Sequence, residues 1–144
     1  MNIAYTLGRI LLPIIFIAAG VQHLLDIQGL AKLVAGTGLP IPSEIEEHLP
    51  AFLKDRYTAL AYLLAAVEVV CGLMILVGLK ARWGALVLIV YTACTIFFVH
   101  HFWDMASANF TAHMNDALKH LAIMGGLLLL VGGAPAPTGL DRQI

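Results

Sequence analysis

Four stretches of this chain, about Ile3–Leu25, Tyr57–Leu79, Trp83–Trp103 and Asn115–Gly133, are long and apolar enough that a bilayer is their natural solvent. Crossing some 30 Å of hydrocarbon takes about 20 residues of helix. With no water to satisfy backbone N–H and C=O groups there, each run has to bond within itself. These two facts predict an all-α fold, a membrane four-helix bundle forming a single transmembrane domain over residues 1–144. The composition agrees: 60% of residues are hydrophobic and 12% charged, where a soluble domain carries about 25%. A net charge of -1 gives no basic field, which argues against nucleic acid as a partner. Cys71 and Cys94 lie inside apolar runs without a C-x-x-C pairing, and read as small buried side chains. Ala18-Ala19-Gly20 resembles a signal-peptide cleavage region, but the first run is read as a retained span.

Four spans put both termini on one side. That side carries Arg9, Lys80, Arg82 and Arg142, the other Lys32, Lys54 and Arg56. The excess of cations predicts cytoplasmic termini, and residues 26–56 then form an external segment. Within it, Ile27, Leu30, Ala31 and Val34 suit a short interfacial helix, and Gly36, Gly38, Pro40 and Pro42 enforce a turn. Ser43 and Glu46 have the spacing of a capping box, and Asp55 suits the cap of the second span. The segment reads as a lid over the external mouth or as a plain connector. The Lys80-Ala81-Arg82 turn is so short that spans two and three must be antiparallel neighbours. Trp83 and Trp103 read as interfacial anchors of the third span.

One acid, Glu68, lies in the middle of the second span. A carboxyl group at bilayer depth is costly and marks a site or a buried structural bond. Ala61, Ala65, Glu68 and Gly72 recur at spacings of four, three and four, so the acid shares a stripe with small residues that let another helix approach. Arg9, Pro13, Phe16, Gly20 and His23 make a comparable face on the first span. Arg9 either snorkels to the headgroups or pairs with Glu68. Pro13 predicts a kink.

Histidines gather at the external ends: His23, His100, His101 and His120 in the outer turns, with His113 and Asp116 sharing a face with His120. Glu68 is expected roughly 15 Å below the external end, at 1.5 Å per residue. Imidazoles above and a carboxyl below outline one cavity. Its three competing uses are a quinone-like redox ring, with Glu68 or Asp116 as proton carrier; a haem or metal, with His23, His100 and His120 as candidate ligands; and solvated boundary histidines holding nothing. No metal-binding motif is present, so no metal site is assigned. His48 stands apart, on the surface.

Gly8-Arg9-Ile10-Leu11-Leu12, Gly20, Gly38-Leu39-Pro40-Ile41-Pro42, Glu68 with Gly72, Gly78-Leu79, Arg82, His100-His101-Phe102-Trp103, and Leu118-Lys119 leading to Gly125-Gly126-Leu127-Leu128 together resemble the DoxX family of small bacterial membrane proteins. The resemblance covers nearly the whole chain. It implies a four-span bundle in the bacterial cell membrane, associated with redox systems, some relatives being membrane subunits of thiosulfate:quinone oxidoreductase. Arg9, Glu68, His100, Trp103 and Lys119 match the family pattern. His23 stands where Lys is usual, His120 where Asn is common, and His101 where other residues are common, and residues 43–56 form a longer insertion.

The leading expectation is a membrane subunit of a redox process that binds a quinone-like ligand. Glu68 and Asp116 would manage protons, and His23, His100, His101, His120, Trp103, Lys119 and Arg9 would form the binding set. With no flavin, iron–sulfur or dinucleotide motif, electrons would come from a partner redox protein or a larger membrane complex. The alternatives are a structural subunit packing through Gly125-Gly126 and Gly132-Gly133, or a small carrier with Glu68 on its path.

Overall fold

A computed structural model describes residues 3–50, 53, 55–104 and 106–133, without the side chains of residues 107 and 108. The chain runs as α1 (Ile3–Leu25), α2 (Ile27–Gly36), a 3-10 turn (Ser43–His48), α3 (Arg56–Val77), α4 (Ala81–Phe98), a 3-10 turn (Phe102–Asp104) and α5 (Ser107–Gly132). Four of these helices provide stretches long and apolar enough to cross a membrane. The described fold is all-α, with the short helix α2 between spans one and two. Lys54 and Arg142, used above to weigh orientation, lie outside the described residues.

Helix association in lipid is driven by close packing more than by expulsion of water, and glycines locate that packing here. An added Cβ on Gly20 of α1 would fall 2.7 Å from Val69 Cγ2 and 2.9 Å from Glu68 Cβ. One on Gly72 of α3 would fall 2.7 Å from Ile17 Cγ1. Such approaches are closer than side chains tolerate, so α1 and α3 are locked face to face by two missing methyls. Ala61, Ala65, Glu68 and Gly72 are all buried on α3, as the small-residue stripe predicts. Gly126 of α5 packs on Leu12, whereas Gly125 and Gly132 meet nothing within 4 Å.

The core lies toward the end where α1 begins and α5 finishes, and there Phe16, Ile75, Ala85, Leu88 and Leu127 pack together. At the opposite end α2 lays Leu30, Ala31 and Val34 on Ala61 and Ala65 of α3. Asp26 opens α2 by accepting from the Gly29 N–H at 3.0 Å, and Asp55 caps α3 through the N–H groups of Tyr57 and Thr58 at 2.9 and 2.8 Å.

Three local expectations change. Ser43 makes no side-chain cap, and Glu46 instead meets Arg56 Nη1 at 3.1 Å. The chain tightens there into a 3-10 turn because Pro42 and Pro50 leave room for no more. Helix α4 stops at Phe98 rather than near Trp103, with the N–H groups of Val99 and His100 both folding back to the Thr95 carbonyl. Helix α5 begins at Ser107, well before residue 115. Its first turns are polar, but helix needs only backbone bonds, the apolar span itself reaches back to Asn109, and Phe110 packs edge-to-face on Phe102.

Candidate functional site

Glu68 is only 3% exposed, and both of its carboxyl oxygens are engaged. Tyr91 of α4 donates its hydroxyl to Oε1 at 2.7 Å. His23 of α1 places Nδ1 2.6 Å from Oε2. Burying a charge costs several kcal/mol unless it is paired and hydrogen-bonded, and here two neighbouring helices supply the partners. Gly20 makes this possible: one turn before His23, it brings the α1 backbone against Glu68. The acid is nearly sealed, but the His23 side chain is 32% exposed, so the pair leads from a partly open imidazole to a buried carboxyl group.

This carboxyl group lines a cavity of about 520 Å³. The walls are overwhelmingly apolar, among them Phe16 of α1, Leu30 and Val34 of α2, Leu64 of α3, Phe98 of α4 and Ile123 of α5. Polar groups are few: His23, Glu68 and Tyr91 together, His100 and His120 farther along, and Thr37 and Thr95, whose hydroxyls donate to the Val34 and Tyr91 carbonyls. A few directed polar groups in an apolar hollow are the usual form of a site for an organic ligand.

The other sequence-derived residues distribute unevenly. The rings of His100 and His120 are 5.0 Å apart, and His113 approaches His100 with Nδ1 atoms 3.3 Å apart. His120 donates Nδ1–H to the Asp116 carbonyl at 2.7 Å, leaving Nε2 as its remaining ring nitrogen. His101 bonds to the Phe98 carbonyl at 3.2 Å and packs on Trp103, and neither lines the cavity. Asp116 and Lys119 form an ion pair at 3.0 Å outside it. Arg9 lies at the opposite end, against Gly78, and makes no pair with Glu68. His23 bonds Glu68 directly instead of lying in a separate layer above it.

Tyr91 is the residue that sequence reasoning missed. A signal existed: tyrosine favours the membrane boundary, so a tyrosine in mid-span asks for a buried partner. The donor set does not fit a metal: among the described residues no group of three or more His, Cys, Asp or Glu is placed to hold one.

Comparison with known proteins agrees with this architecture. The DoxX family model matches residues 4–101. Inner membrane protein YphA of Escherichia coli (strain K12) is 30% identical, over 95% of this chain and 87% of its own length. Inner membrane protein YqjF of the same organism is 29% identical, over 99% and 93% respectively. No solved structure matches the chain.

Proposed function

Because this chain belongs to the DoxX family and is an integral membrane protein, we propose that it binds a quinone-like lipid in the Glu68 cavity as the membrane subunit of a redox process. The observation that carries the reading is the buried carboxyl of Glu68, held by Tyr91 and His23 on the wall of an otherwise apolar hollow. The apolar walls suit a ring and the start of an isoprenoid tail. Tyr91 spends its O–H on Glu68 and neutral His120 spends its N–H on the Asp116 carbonyl, so His100 Nε2 is the donor left to a ring carbonyl, while His120 Nε2 can accept from the hydroxyl of a reduced ring. A bound quinone would supply coupled electron and proton transfer.

This chain's own residues account for the proton. A proton between His23 Nδ1 and Glu68 Oε2 would be handed outward by His23, the more exposed of the two side chains, while the acid stays buried. Tyr91 holds the other carboxyl oxygen, so Glu68 keeps one rotamer as the proton moves. Electrons would come from a partner redox protein. Likeness to two inner membrane proteins supports a place in the bacterial inner membrane, and the excess of cations on one side supports cytoplasmic termini.

The test is solvent extraction of protein purified in mild detergent, with Glu68→Gln beside the wild type. A stoichiometric isoprenoid quinone that is depleted in the variant is the expected result. Extracts lacking quinone, or identical in the two proteins, would overturn the reading. A purely structural role predicts unchanged electron flux in membranes carrying Glu68→Gln at wild-type abundance.

A further inference from the structure

A second cavity, of about 410 Å³, opens at the end of the bundle where α1 begins and α5 finishes. Its lining includes Arg9 from α1, Lys80 from the α3–α4 turn, and Arg82 and Trp83 from the first turn of α4. None of its described lining residues is acidic. The Arg9 Nε atom is buried and has no hydrogen-bond partner among the described residues. Its guanidinium group presses on Gly78, which has no side chain to obstruct it and sits at φ 80°. Arg82 spends Nη2 on the Gly132 carbonyl at 3.3 Å. Lys80 adopts φ 48°, the one positive value outside glycine among the described residues. For a lysine this conformation is strained, and no side chain caps the helix that it opens.

Three cations crowding one hollow repel each other, and a buried guanidinium N–H without an acceptor is costly. The missing component is an anion with several acceptor oxygens. We propose that this cavity binds a phosphate group, supplied by the headgroup of an anionic phospholipid. Arginine forks match phosphate oxygens, and the positive end of α4 adds its dipole. Trp83, 66% exposed, is an interfacial side chain at the rim, which sets the cavity at headgroup depth where lipid phosphates lie. A zwitterionic lipid would bring a second cation toward Arg9, Lys80 and Arg82, so the site favours a net negative headgroup.

Trp83 supplies the readout. In full-length protein carrying Trp103→Phe, Trp83 is the sole tryptophan, and its emission is followed in uncharged detergent. Dihexanoyl phosphatidylglycerol should shift it saturably, with dihexanoyl phosphatidylcholine at least about 10-fold weaker, the size of one charge-assisted hydrogen bond. Lys80→Gly and Arg9→Gln should each weaken the phosphatidylglycerol response by about the same factor, while Arg56→Gln, at the other end, leaves it unchanged. Lys80→Gly relieves the strained φ, so its loss of binding cannot be ascribed to misfolding. If inorganic phosphate alone saturates the signal at least as tightly, and the same variants weaken it, the phosphate site stands with a soluble source. Absence of a saturable response to either probe, or a response indifferent to Lys80→Gly and Arg9→Gln, overturns the proposal.

Discussion

Two regions of the bundle treat charge in opposite ways. In one, at mid-span, a single acid is sealed inside, with a hydroxyl and an imidazole meeting both of its oxygens. In the other, three cations line a hollow, and one of them keeps a buried N–H without an acceptor among the described residues. Depth explains the contrast. In mid-membrane no water or headgroup can rescue an unpaired charge, so the protein must supply every partner. At the boundary, phosphate and water lie within reach of a long side chain, and the fold can leave a cation waiting.

The contrast is broken or sharpened first by truncating a charge in each region. Glu68→Ala strands the Tyr91 hydroxyl in a dry cavity and should cost about 3 kcal/mol. Arg9→Gln, which removes a buried Nε without a partner among the described residues, should stay within about 1 kcal/mol. Reversible unfolding in mixed micelles would measure both, and equal losses would show that the two regions hold charge alike. A smaller effect separates the glycines. Gly20→Ala forces α1 off Glu68 and should cost about 2 kcal/mol by overpacking, while Gly78→Ala should cost about 1 kcal/mol through its positive φ. Gly125→Ala, which meets nothing, is the control expected to change stability little.

The smallest effect lies outside the spans. The N–H of Thr58, then its hydroxyl and the N–H of Tyr57, hold the Asp55 carboxyl below its ordinary value of 3.8. A depressed carboxyl stabilises the fold above that value and loses its contribution as pH falls through the lower, folded one. Melting temperature should therefore drop below about pH 4 in the wild type and drop less in Asp55→Asn. Parallel curves would show that the cap carries no linked proton.

Much of this was legible in the chain. Hydropathy located the four spans, and the Ala61, Ala65, Glu68, Gly72 spacing put the acid on a buried face, because both signals are written in consecutive residues. Asp55 was recognisable as a cap for the same reason. Ser43 was not rightly read: its spacing to Glu46 allowed a capping box, but Arg56, ten positions on, took the glutamate. The partners of Glu68 were less accessible still. His23 and Tyr91 lie 45 and 23 residues away, and nothing local says how far each helix is rotated about its axis. Placing His100 and His120 in the cavity while His101 and Trp103 lie outside it depended on where α4 ended, which a hydropathy window that ran through Trp103 did not resolve.

The order of residues alone determined that this protein would live in lipid, cross it with four helices and carry one acid facing inward, since solvent preference and helical period act over a turn or two. Only the tertiary structure decided that Glu68 meets a histidine and a tyrosine, and that Arg9 belongs to another cavity altogether. Those outcomes depend on Gly20 meeting Val69 and Gly72 meeting Ile17. Such contacts set the rotation and approach of whole helices, and close packing allows only one arrangement to satisfy them together.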